Sequence, residues 1–193
     1  MQKIISKFFI LLFILFSSCE NKTIRDKEGL IVYQENQISW VRNFEPLNPV
    51  SIPRWPTRGG IYESLYLNNP ITTDWVPWLA TNYKWENNNK KLLFTIRPNV
   101  QWSDGKPFSA HDVAYTLNLW NQYPALDTRN AWEYLKSVVA VSDTLVQIDF
   151  KRIYVPGFEA IAGAPIIPKH IWKELKDPLD FSNPNPVGTG PFT

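Results

Sequence analysis

The 193-residue sequence holds one cysteine and two histidines. A single cysteine excludes an intrachain disulfide and any multi-thiolate zinc site. The two histidines offer little imidazole chemistry: His111 falls in the first turn of a helix predicted below, and His170 follows Pro168 and Lys169. Glu174 could share a helix face with His170, but one such pair supplies two metal ligands at most. Asp104 and Asp112 read as a turn aspartate and a capping aspartate. No P-loop, GxGxxG or GxSxG occurs, so none of the usual phosphate cradles or nucleophile elbows is available. A Lys/Arg stripe is also lacking, which argues against nucleic acid as a partner. Nor does the apolar run at residues 8–16 reach the length of a bilayer-spanning helix.

That run has the length of a secretory h-region, and Lys3 and Lys7 make a basic n-region before it. It ends in Phe16-Ser17-Ser18-Cys19, which resembles a lipobox, although leucine is commoner where Phe16 stands. Cys19 is then the lipidation site: its thiol takes a diacylglycerol and it becomes the mature N-terminus, held on a membrane surface by acyl chains. An ordinary cleaved signal with an incidental cysteine is the alternative. Residues 20–28 are mostly polar and charged, and with Gly29 they suit a flexible tether. The formal charge of +2 comes from 20 Lys+Arg against 18 Asp+Glu. Lys3 and Lys7 leave with the signal, so the mature chain carries equal numbers of the two signs.

The remainder is long enough for a sizeable core. Sixteen prolines against eight glycines point to stiff connections between short elements. Nine tryptophans suit cores and ligand-stacking walls alike. Short strands are predicted at 30–33 and 38–41, a proline-rich loop at 43–60, a helix opening at 61–66 and a loop at 71–78. The alternation of Leu92, Phe94 and Ile96 with Leu93, Thr95 and Arg97 predicts a half-buried strand. Ser103-Asp104-Gly105 is a tight turn. Ser109 and Asp112 form a capping-box-like pair opening a helix whose stripe is Val113, Leu117 and Trp120, stopped by Pro124. A short helix near 130–137, a hairpin over 138–150, a junction entering a helix at 166–172 and an irregular connector at 178–186 complete the pattern. Strands and helices mixed without a βαβ rhythm imply an α/β or α+β architecture.

Several stretches carry a more specific likeness. They are Leu79-Ala80 with Tyr83 and Trp85, Phe94-Thr95-Ile96-Arg97, Val100, Trp102-Ser103-Asp104-Gly105-Lys106-Pro107 and Ala110-His111-Asp112-Val113. Ile166 to His170 follows, and then Pro186-Val187-Gly188-Thr189-Gly190-Pro191-Phe192. In order and spacing they resemble the family 5 extracellular solute-binding proteins of ABC transporters, which capture oligopeptides, nickel and some oligosaccharides. Asn99 stands where the family usually has glycine, and asparagine is the next-best residue for a left-handed turn. The resemblance implies an α/β, type II periplasmic-binding-protein-like fold of two lobes with an extra small domain, of which this chain carries the N-terminal part. On that reading residues 1–18 are the signal peptide, 19–29 the tether, 30–60 the first segment of lobe 1, 61–165 the extra α+β domain and 166–193 the return to lobe 1.

The same likeness implies an exported, membrane-anchored lipoprotein that is a monomer and not an enzyme. It needs no cofactor or metal, captures a small-molecule ligand and delivers it to ABC permease subunits. Ligand contacts are expected from the loop after the first strands: Trp40 and Trp55 as flat stacking faces, Asn43 as hydrogen-bond donor and acceptor. Core placement is the alternative for both indoles. Peptide is the family's default ligand. The stretch from Trp40 to Pro49, with Pro77-Trp78-Leu79-Ala80, is similar to the subgroup that includes cello-oligosaccharide binders, which keeps oligosaccharide as the second reading. An exported hydrolase is a competitor from another class. It needs a carboxylate pair at glycosidase separation, and the sequence displays none. A purely structural surface lipoprotein is the third.

Overall fold

The computed structural model of the chain describes residues 41–192. The signal, Cys19, the tether, Trp40 and nearly all of the two strands predicted before residue 42 lie outside the described residues. The centre of the described part is an antiparallel sheet of four strands in the order β3-β4-β6-β5: β3 Ala80–Glu86, β4 Lys91–Ile96, β5 Leu135–Ser142 and β6 Leu145–Phe150. Leu92 and Phe94 of β4 sit opposite Ile148 and Val146 of β6, so one face of the pleat is a continuous apolar surface. Thr95 and Asp149 fall on the other face.

Helix α1, Ala110–Gln122, packs against β5 and β6 and buries Val113, Leu117 and Trp120. Its start is the predicted capping box: Ser109 Oγ accepts from His111 N at 3.2 Å, and Asp112 Oδ2 accepts from Ser109 N at 3.0 Å. Two short helices follow, α2 Gly157–Ala162 and α3 Lys169–Trp172. Phe158 of α2 lies 4.4 Å from the ring of Tyr83 and 5.4 Å from that of Tyr66, which closes an aromatic cluster with Phe94 and Trp75.

Three expectations from the sequence are corrected. No helix opens at 61–66: Thr57–Ile61 is a single wide turn, Tyr62 is extended, residues 63–65 belong to no regular element, and β1 is Tyr66–Asn68. All six residues from Ile61 to Tyr66 are buried, and their carbonyls are claimed from outside: Glu63 by Ile166 N, Ser64 by Leu79 N, Leu65 by Trp78 N and Ala80 N. The loop expected at 71–78 contains strand β2, Trp75–Pro77, paired with β1 around a turn in which Asn69 Oδ1 accepts from Ile71 and Thr72. The helix near 130–137 shrinks to one 3₁₀ turn, Ala131–Glu133, after which Leu135 enters β5 opposite Phe150. Asp127 makes that turn by accepting from Ala131 N at 2.9 Å and Trp132 N at 2.8 Å.

The C-terminal motif has a structural task. Gly190 N donates to Ile61 O at 3.0 Å, Phe192 N to Gly60 O at 3.2 Å, and Ser103 N to Gly188 O at 2.8 Å. A Cβ on Gly188 would stand 2.0 Å from Ile61 O, and one on Gly190 2.1 Å from Gly60 O, so only glycine permits the approach. Upstream of it, Phe44 N donates to Ser182 O at 2.9 Å, and Asn183 Nδ2 donates to Phe44 O and to Tyr62 Oη. The two sequence-distant ends of the described chain are thereby laced together.

Candidate functional site

A cleft of about 220 Å³ opens where the loop after residue 43 meets the end of α1 and the segments around Arg129 and Ala164. Leu47, Trp120 and Ala164 supply apolar wall; Arg58, Asp127 and Arg129 supply charge. Burial of Trp120 leaves its indole Nε1–H without a hydrogen-bond partner among the described residues. Trp102 and Trp172 leave their indole N–H groups in the same buried state, so at Trp120 the unpaired N–H is a cost on the order of 1–3 kcal/mol rather than a donor offered to the cleft.

Each guanidinium is fixed by one bond and keeps further N–H donors. Arg58 Nε donates to Pro46 O at 2.7 Å. Its backbone leaves the helical region, and the following Gly59 adopts φ +78°, which turns the chain through the wide turn 57–61. Arg129 Nη1 donates to Glu159 O at 2.8 Å. The one acid in the lining, Asp127, is buried and already serves two backbone N–H groups. The lining therefore presents two cations against a single engaged carboxylate.

Glu45 organises the wall from behind. It is 1% exposed, and its two oxygens accept from Leu47 N at 2.7 Å and Asn48 N at 2.5 Å. Burial pushes its pKa up; the two backbone bonds and the charge of Arg58 pull the other way without cancelling that effect. Tyr62, beneath the same loop, is pushed by burial to about 12 and stays neutral across the physiological range.

Of the predicted ligand residues, Asn43 and Trp55 are outside the lining of this cleft. Asn43 Nδ2 donates to Ser51 Oγ at 2.7 Å and its Oδ1 accepts from Glu45 N at 3.1 Å, so its amide holds the loop together. Trp55 is 49% exposed, with its ring 5.5 Å from that of Phe192. The structure brings these two close, because Arg54 N donates to Asn43 O at 2.8 Å. Trp40 and Cys19 are outside the described residues. Sequence reasoning did not single out Arg58, Arg129 or Trp120 as cleft residues. Arg58 and Arg129 stand in loops without periodicity, and Trp120 reads as an ordinary member of a helical stripe; the one available signal was an arginine beside paired glycines.

The antiparallel sheet and the helices packed on it belong to the type II periplasmic binding-protein class. An oligopeptide-binding protein of a Thermotoga maritima ABC transporter, solved with mannohexaose bound, has the same fold at TM-score 0.71 and 30% identity, over 78% of this chain and 28% of that one. Residues 74–193 match the profile of the bacterial extracellular solute-binding proteins, family 5, and the chain belongs to that family. The nickel-binding periplasmic protein of Escherichia coli is 30% identical over 169 residues, 80% of this chain and 30% of that protein. A peptidoglycan-binding protein of Agrobacterium fabrum is 27% identical over 170 residues, 79% of this chain and 27% of that protein. The chain spans about three tenths of the length of these relatives. The family is one of solute-binding transport proteins rather than enzymes.

Proposed function

We propose that this protein is the substrate-binding lipoprotein of an ABC importer, capturing oligopeptides and delivering them to a membrane permease. The observation that carries the ligand class is the cleft, which Arg58 and Arg129 line beside Leu47, Trp120 and Ala164. A peptide offers what this lining lacks: carboxylate and carbonyl acceptors joined to apolar side chains. Oligosaccharide is the second reading. It is favoured by the mannohexaose seen in the Thermotoga relative and by the half-exposed ring of Trp55, which a sugar could stack upon. Trp40 and Asn43 belong to the same reading as contributors from the neighbouring loop.

Residues 30–60 and 166–193 together form lobe 1 in this account, with 61–165 as the extra domain between them. The hydrogen bonds that tie Phe44 and Gly60 to segment 182–192 support the pairing of the two lobe 1 segments. Cys19 carries the acyl anchor, the protein acts as a monomer outside the cytoplasmic membrane, and residues 20–29 tether it.

The test is an indole NMR titration of the unlipidated chain, following Trp120 Nε1–H. Peptides with a free C-terminal carboxylate are expected to shift it saturably, and C-terminally amidated peptides to bind more weakly. Arg129→Ala should weaken the free-acid peptides by about tenfold, the worth of one charge-assisted contact. A Trp120 response to β-linked oligosaccharides alone would establish the second reading. Silence from both panels would overturn this use of the cleft.

A further inference from the structure

Glu45 stands directly behind the arginine-lined cleft, almost wholly buried, and forms no ion pair among the described residues. Its two oxygens accept from the backbone N–H groups of Leu47 and Asn48, and its own N–H donates to Asn43 Oδ1 at 3.1 Å. Pro46, in the middle of that turn, gives its carbonyl to Arg58 Nε at 2.7 Å. Pro46, Leu47 and Arg58 all line the cleft, so one short turn joins the buried carboxyl to the guanidinium and to the wall.

A buried carboxyl with no cation paired to it resists ionisation, because burial penalises the charged form. Among the described residues Arg58 is the one charge that favours the ionised form of Glu45. Tyr62 is the other titratable group within reach, and burial keeps its hydroxyl neutral up to about 12. The charge facing a ligand therefore depends on one proton. With Glu45 ionised, Arg58 and Arg129 are matched by two carboxylates, Glu45 and Asp127; with Glu45 protonated they are opposed by Asp127 alone. An acidic ligand end placed on Arg58 competes with Glu45 for the same guanidinium, so binding the one favours neutralising the other.

We propose that Glu45 is a proton-coupled positioning residue: capture of an acidic ligand end at Arg58 is accompanied by uptake of a proton at Glu45. This rests on the cleft being the ligand site. The coupling is reciprocal, so a proton on Glu45 strengthens ligand binding by the factor by which ligand favours the proton. Glu45 titrates above 4.5 in the free chain and higher still in the complex, so affinity falls as pH rises through that window.

The unlipidated chain is titrated calorimetrically with N-acetylated dialanine, which has a free carboxylate and no amine, at about pH 5 and about pH 7. The ligand is ionised at both values, and the two histidines line a separate concavity, so a change in affinity belongs to the cleft. Binding is expected to weaken about fivefold or more toward the higher pH, the lower end of ordinary site-to-site coupling. At the lower pH the binding heat should change with the ionisation enthalpy of the buffer, in the sense of proton uptake. Glu45→Gln should flatten the pH profile and abolish the buffer dependence, while Asp127→Asn keeps both, which separates the two carboxyls. A Glu45 that only held the loop would lower affinity in Glu45→Gln equally at both pH values and leave proton uptake in place. The buffer dependence is read on the parent chain, so it decides the matter even where Glu45→Gln fails to fold. Equal affinity at the two pH values with buffer-independent heats would overturn the proposal and leave the cleft as the ligand site. No binding at either pH, or binding that Arg58→Gln and Arg129→Ala leave unchanged, would overturn the cleft reading and this proposal with it.

Discussion

Gly188 and Gly190 show how a short motif can be demanded by backbone geometry rather than by chemistry. Each lies against a carbonyl of the Gly60–Ile61 segment, and neither site has a yielding side chain to displace. Gly188→Ala and Gly190→Ala should each cost about 3 kcal/mol, the upper part of the range for forcing extra volume into a packed site. Urea unfolding monitored by tryptophan fluorescence would read this as a lower midpoint at constant slope. An unchanged midpoint in both variants would show that the clasp is loose in solution. Asn99 makes the complementary point. It adopts φ +61°, the left-handed conformation expected where the family has glycine. The motif was visible in the sequence, but its reason was not, because the partner segment lies more than a hundred residues away.

The elements legible in the sequence were those whose information is local. β4 alternates, α1 carries its capping box and stripe, and the hairpin of β5 and β6 has a turn at Asp143-Thr144; all three appear where the pattern puts them. The segment misread as a helix took its hydrogen bonds from distant chain. Ile61 to Tyr66 is apolar enough to suggest a helix, yet its carbonyls serve Ile166, Trp78, Leu79 and Ala80. The cleft was illegible for the same reason, since Arg58, Trp120 and Arg129 come from three separate segments. One buried side chain tests this kind of long-range tie. Thr116 is fully buried; its Oγ1 donates to Asp112 O at 2.9 Å and accepts from Ile167 N at 3.2 Å. Thr116→Val keeps the shape but orphans Ile167 N–H, an expected loss of about 1–3 kcal/mol. Thr116→Ser keeps the bond and removes one methyl, costing about 1 kcal/mol. Equal losses in the two variants would mean that packing, not the hydrogen bond, joins α1 to the strand-like segment before α3.

At the scale of the whole molecule, two carboxyl groups give stability an opposed dependence on pH. Burial holds Glu45 above its ordinary value of 4.5, so the folded chain retains a proton there that the unfolded chain has released. Its stabilising contribution is complete below pH 4.5 and is lost as pH rises through the folded value. Asp104 behaves in the other sense. Burial, its largest single influence, pushes it up, but the Lys106 N–H, the bond and charge of His170 and the charge of Lys106 together hold it below 3.8. What Asp104 contributes is therefore present above pH 3.8 and lost as pH falls through its folded value. Urea unfolding across the acid range should separate the two. Glu45→Gln removes the decline above pH 4.5, so its stability gains on the parent chain as pH rises toward neutrality, whatever fixed amount the lost backbone bond costs. Asp104→Asn removes the decline on the acid side, so its deficit relative to the parent shrinks below pH 3.8. Because Glu45 braces the loop that carries Leu47 and lies within reach of Arg58's charge, the first profile also reports on the cleft wall: a Glu45→Gln curve parallel to that of the parent at every pH would mean that Glu45 is solvated and the wall is not closed as described.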